Sequence, residues 1–112
     1  MTINSIIQEA TEIASRHNLK LFELDRTDNI ISLKLLMDNE IFIQVYGNAR
    51  NDKINLALVF KKRRLYGYDS VGGKYHYHPF DNPDSHIFLN DEKSISEFVQ
   101  EAMRFLEEKN IL

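Results

Sequence analysis

Lys53-Ile54-Asn55-Leu56-Ala57-Leu58-Val59-Phe60-Lys61-Lys62-Arg63-Arg64 leads into Leu65-Tyr66-Gly67-Tyr68-Asp69-Ser70-Val71-Gly72-Gly73-Lys74-Tyr75-His76-Tyr77-His78. The first part alternates. Ile54, Leu56, Leu58 and Phe60 share one parity, while Asn55, Ala57, Val59 and Lys61 share the other, as in a strand with one covered face. Gly72-Gly73 is a two-residue hairpin signal, because both central positions of the favoured turns need positive φ. The strand is therefore expected to run on through Arg64 to Asp69, turn at the glycines, and return from Lys74 to His78.

Register follows from that turn. Val71 should face Lys74, Ser70 Tyr75, Asp69 His76, Tyr68 Tyr77, and Gly67 His78. Asp69, His76 and His78 then lie on one sheet face, and Tyr66, Tyr68, Tyr75 and Tyr77 on the other. Continuing the parity of Ile54 to Phe60 sends the tyrosines toward the core and Lys61, Arg63 and Asp69 outward. Lys62 and Arg64 would then point inward, a conflict that a sheet overhanging its helices or a bulge near Lys62 would resolve.

Upstream, three more strands are expected. Leu19 to Arg26 is the first, and Thr27-Asp28-Asn29 turns the chain. Ile30 to Met37 follows, with Ile31, Leu33, Leu35 and Met37 on one side. After Asp38-Asn39 come Ile41, Ile43 and Val45, stopping at Gly47-Asn48. Helices bracket the strands. Ile3, Ile6, Ile7, Ala10, Ile13 and Ala14 form a stripe, with Ser5 and Gln8 as a capping box and Asn18 as a stop. Ile95, Phe98, Val99, Ala102, Phe105 and Leu106 form another, behind a Ser94–Glu97 capping box. The expectation over 1–112 is a single α+β domain: an antiparallel meander of about four or five strands, with an N-terminal and a C-terminal helix packed on one face.

Composition fits a folded domain. The 112 residues are 43% apolar and 28% charged, with no cysteine, so neither disulfides nor thiolate metal sites are available. No apolar run is long enough to span a membrane and no signal-peptide pattern opens the chain, which makes the cytoplasm the expected compartment. The net charge of −3 is unevenly spread. From Ala49 to His78 there are seven Lys or Arg against two acids. A basic region in an acidic chain attracts an anionic partner, although a solvated strand end would look the same.

Three of the four histidines fall within eleven residues: His76, His78 and His86. Beside Asp69 they form a candidate catalytic set, His76 and His78 as acid and base, Asp69 as the group that orients them. Lys61, Arg63, Arg64 and Lys74 are the candidate nucleic-acid contacts. Such a set suits RNA cleavage without a metal or cofactor: one group deprotonates the 2′-hydroxyl, another protonates the leaving oxygen, and a cation offsets the phosphorane charge. Two other readings stay open. His76, His78 and either Asp69 or His86 would also suit a metal-dependent hydrolase. Histidine–aspartate pairs and tyrosine ladders also stabilise hairpins with no further role.

The segment from Arg64 to His86 resembles the TumE family of toxin components, in its Tyr68-Asp69 start, histidines before Pro79, and Pro83-Asp84-Ser85-His86 end. The order of elements around it is similar too. The resemblance implies a toxin of a toxin–antitoxin pair, an RNA substrate, and a helix-turn-helix antitoxin as partner. It departs from the family at Ser70, at Tyr77 between the histidines, and at Asp84-Ser85. A protein-interaction module without catalysis is the alternative.

Overall fold

A computed structural model describes residues 2–80, 85 and 87–111. The elements run α1 (Ile3–His17), β1 (Lys20–Arg26), β2 (Ile30–Leu36), β3 (Ile41–Asn48), β4 (Lys53–Phe60), β5 (Arg63–Val71), β6 (Lys74–His78), β7 (Ile87–Leu89) and α2 (Ile95–Glu108). The strands form one antiparallel sheet in sequence order from β1 to β7. The α+β class and the terminal helices are as expected, but the sheet has seven strands rather than four or five.

Two features account for the difference. The expected long fourth strand is two strands, because the chain reverses at Lys61-Lys62, where φ is 50° and 66°. Downstream, Ile87–Leu89 adds a short edge strand against Tyr75–Tyr77. The Lys61-Lys62 hairpin pairs Phe60 with Arg63 and Val59 with Arg64. Continued in step, it would pair Leu58 with Leu65 and send Tyr66 to the uncovered face. Instead Leu58 pairs with Tyr66, and Leu65 is left over as a bulge. The two-residue turn flips the parity and the bulge flips it back. The tyrosine and histidine faces therefore come out as expected, but Arg63 and Arg64 exchange sides: Arg64 shares the face of Asp69, and Arg63 the opposite one.

Caps fix the helix ends. Thr2 and Ser5 make a reciprocal capping box at α1, one turn earlier than Ser5–Gln8 would place it, and Asn18 closes the helix in the left-handed conformation. Ser94 and Glu97 cap α2 as expected. The Glu97 carboxyl is held below its ordinary pKa by hydrogen bonding to Ser94. Ile6, Ala10 and Ile13 of α1, with Phe98, Val99, Ala102 and Leu106 of α2, pack in one core with Ile31, Leu33, Leu35, Ile43, Leu56 and Leu58. Glu9 Oε1 accepts from the Ser96 N–H at 3.3 Å, joining the helices.

The tyrosines bind the histidine hairpin to α2. Tyr66 is buried, its ring centroid 5.2 Å from Phe98 and 5.4 Å from Phe105. The Tyr68 hydroxyl accepts from the Lys93 N–H at 3.0 Å, which fixes the approach to α2. Burial raises the pKa of both phenols, and Glu101 adds to the rise at Tyr66.

Deleting Leu65 should leave no cooperatively folded protein, because Tyr66 and Tyr68 would move to the uncovered face. Urea unfolding followed by circular dichroism checks this, with the milder Leu65→Ala expected to keep a sigmoidal transition. A second expectation concerns pH. Both phenols titrate higher folded than unfolded, so the stability they confer is intact below the ordinary phenol value of 10 and is lost as pH rises beyond it. The Tyr66 hydroxyl has no hydrogen-bond partner among the described residues. Tyr66→Phe should thus cost less than about 1 kcal/mol at pH 7 and flatten the fall in urea midpoint between pH 9 and pH 11.

Candidate functional site on the uncovered sheet face

The helices cover one face of the sheet. On the other face, cross-strand pairing lines side chains into rows. The central row is Phe22, Lys34, Gln44, Ala57, Gly67 and His78. One flanking row carries Lys20, Leu36, Phe42, Val59 and Arg64. The other carries Ser32, Tyr46, Asn55, Asp69, His76 and Phe88. Ala57 and Gly67 are small, so the middle of the central row is a hollow between taller rows.

Arg64 lies across that hollow. A methyl group built on Gly67 would sit 3.0 Å from the Leu56 carbonyl oxygen and 3.6 Å from Arg64 Cδ. The tight approach is to the Leu56 carbonyl, while the arginine would meet such a methyl group at ordinary contact distance. A groove of about 750 Å³ opens toward the β4–β5 turn, lined by Lys34, Asn39, Glu40, Phe42, Gln44, Val59, Lys61, Lys62 and Arg64. Four cations face one carboxylate, and the Lys34 ammonium lies 4.3 Å from the centre of the Phe42 ring. A second hollow of about 450 Å³ continues along Tyr46, Lys53, Asn55, Ala57 and Asp69, with Gln44, Val59 and Arg64 common to both.

Asp69 and His78 meet at the inner end of this surface. His78 Nε2 lies 2.6 Å from Asp69 Oδ2. Asn55, with its amide nitrogen turned to the carboxylate, donates to Oδ1 at 3.0 Å. Asp69 is opposite His76 in register but bonds diagonally to His78. Only part of the pair meets solvent: the Asp69 side chain is 26% exposed and that of His78 is 5% exposed. His76 turns instead to the edge strand, its ring edge-on to Phe88 with centroids 4.6 Å apart.

Of the expected catalytic set, Asp69 and His78 are brought together, His76 is a neighbour on the same face, and His86 lies outside the described residues. Of the expected nucleic-acid contacts, Lys61 and Arg64 line the groove. Arg63 belongs to the other face, displaced by the turn and bulge. Lys74 pairs with Val71 at the far end of the strands from Lys61. Among the described residues, no group of three or more His, Asp or Glu side chains could hold a metal ion. No described helix is long and apolar enough to cross a membrane.

Sequence reasoning missed Lys34, Phe42, Gln44, Tyr46 and Asn55 as site residues. Their signal was present: they occupy the positions alternate to the buried Leu33, Leu35, Ile41, Ile43, Val45 and Leu56.

The chain matches no family model, no curated protein and no solved structure.

Asp69→Ala would remove the carboxylate that lies 2.6 Å from the covered His78 Nε2. The expected cost is about 2 kcal/mol in urea unfolding at pH 7. Asp69→Asn should recover part of that loss, because an amide oxygen can still accept from Nε2.

Proposed function

We propose that the uncovered sheet face binds single-stranded RNA and that the chain cleaves it beside Asp69, as the ribonuclease toxin of a toxin–antitoxin pair. The observation that carries the reading is continuity: a cationic groove with an aromatic wall runs into a hydrogen-bonded aspartate–histidine pair, with Arg64 lining both hollows. Lys34, Lys61, Lys62 and Arg64 supply phosphate contacts, while Phe42 and Tyr46 offer rings for unstacked bases. The resemblance of residues 64–86 to the TumE family points the same way and brings a helix-turn-helix antitoxin as the partner.

The exposures favour roles that differ from the usual histidine base. Asp69 is the group that reaches substrate, and His78 behind it positions the carboxylate. Asp69 takes the proton of the 2′-hydroxyl as the 2′-oxygen bonds to phosphorus. The bond to the 5′-oxygen breaks, that oxygen takes a proton from water, and a 2′,3′-cyclic phosphate remains. Arg64 offsets the charge on the pentavalent phosphorus.

A second reading rests on β1. Its outer edge pairs with no strand among the described residues, and Phe22 and Leu24 on it are 45% and 53% exposed. A non-catalytic module that adds a partner's strand at this edge would use those side chains.

Incubation of the purified protein with end-labelled single-stranded and duplex RNA, with and without chelator, separates these readings. Cleavage of the single strand that survives chelator and leaves cyclic phosphate ends is the expected result. His78→Ala and Asp69→Asn should each lower it at least 100-fold. Arg64→Ala and Lys34→Ala should each weaken binding about fivefold to tenfold. Binding without cleavage would remove the catalytic half of the proposal. Cleavage lost to chelator would favour a metal-dependent hydrolase, and no binding at 50 mM salt would leave the interaction module.

A further inference from the structure

The β4–β5 turn is built from the wrong residues for its geometry. A two-residue hairpin with positive φ at both positions favours Asn-Gly, and the β5–β6 turn of the same sheet uses Gly72-Gly73 at φ 56° and 83°. The β4–β5 turn holds Lys61 and Lys62 at φ 50° and 66°. The other non-glycine residues in the left-handed region, among those described, are Asn18, Asp52 and Asn110, types that tolerate it. Lysine has no local hydrogen bond to offer in return, and its Cβ is crowded against the backbone. Strain of this kind persists where the surroundings hold it, and here the Lys61 N–H donates to the Glu40 carbonyl at 3.0 Å.

Both lysines line the groove that already contains Lys34 and Arg64. We infer that the Lys61-Lys62 turn is a phosphate grip, whose strained backbone sets two lysines beside the groove, Lys61 with its ammonium 5.3 Å from the centre of the Phe60 ring, to take the phosphodiester backbone of single-stranded RNA. The inference rests on the RNA reading above and adds to it where the strand enters and what fixes it. A tight hairpin is stiff, so the two charges are presented from a nearly fixed base and not from a mobile loop. Lysine suits the task as a point charge that takes a phosphate oxygen in many orientations. The grip reads no base. It sets how far along the sheet the backbone lies when a phosphate reaches Arg64 and Asp69.

Replacing the turn with its favoured residues tests the inference, because stability and binding should move in opposite directions. Lys61→Asn/Lys62→Gly is expected to raise Tm by about 5 °C. The same variant should bind single-stranded oligouridylate at least tenfold more weakly, with the slope of log affinity against log salt reduced by about 1.4. Lys61→Gln/Lys62→Gln, which keeps side chains in the strained conformation, should lose the affinity without the gain in Tm. Wild-type affinity in the Asn-Gly variant, alongside weakened binding in Arg64→Ala, would overturn the grip and leave the RNA reading standing. An unchanged or lower Tm would overturn the strain argument. Absence of RNA binding by the wild type would end both.

Discussion

The phase of the sheet across β5 depends on one unpaired residue. A strand has two faces and each step along it changes face, so an extra residue exchanges them for everything that follows in the same strand. Leu65 is that residue. Beyond it Tyr66 and Tyr68 meet α2 and the core, while Gly67 and Asp69 meet the uncovered side. The β5–β6 hairpin copies this phase onto β6, which places His76 and His78 beside Asp69. The core and the candidate site therefore share a single constraint. In the other phase the Tyr66–Phe98 packing is lost, and the Asp69–His78 pair, which moves with its hairpin, would face the helices.

Two helices cannot cover both sides of seven strands, and the sequence allots its side chains accordingly. Ile31, Leu33 and Leu35 alternate with Ser32, Lys34 and Leu36; Ile43 and Val45 alternate with Phe42, Gln44 and Tyr46. The uncovered side is neither fully apolar, which would demand another layer, nor uniformly charged. It mixes aromatic rings, amides and cations around the small residues Ala57 and Gly67. A sheet face of this composition stays stable in water and still offers flat surfaces to stack on and donors to phosphate.

Much of this was legible in the chain. Gly72-Gly73 fixed a register that the structure reproduces pair for pair, from Val71–Lys74 to Gly67–His78. Alternation marked Ile31, Leu33, Leu35 and Ile54 to Phe60 as one-sided strands, and Ser94–Glu97 marked the start of α2. The Lys61-Lys62 turn was not legible, because lysine carries no preference for positive φ and turn prediction relies on residues that do. Hiding the turn also hid the bulge. Each alone would have put the tyrosines on the wrong face, and because the two cancel, the expected face assignment survived a mistaken strand. What did not cancel is local: between turn and bulge the parity is reversed, and there Arg63 and Arg64 trade places. The β7 strand was missed for another reason, since three residues, Ile87–Leu89, are too few for a periodic signal.

Burial also reorders the polar cluster. Histidines close in sequence draw attention to themselves as acid–base groups, yet on this sheet His76 and His78 turn to different partners. His78 is covered and committed to Asp69, and His76 packs against Phe88, which is itself 73% exposed at the sheet edge. The carboxylate is the polar atom group that the pair presents outward. It is held from two sides, by the His78 imidazole and the Asn55 amide, so its direction is set before any ligand arrives. Preorganisation of this kind lowers the reorganisation needed when charge develops beside it. That carboxylate lies two rows from Arg64, across the central row of Ala57 and Gly67. A histidine-rich segment thus turns an aspartate toward solvent, with one histidine bonded to it.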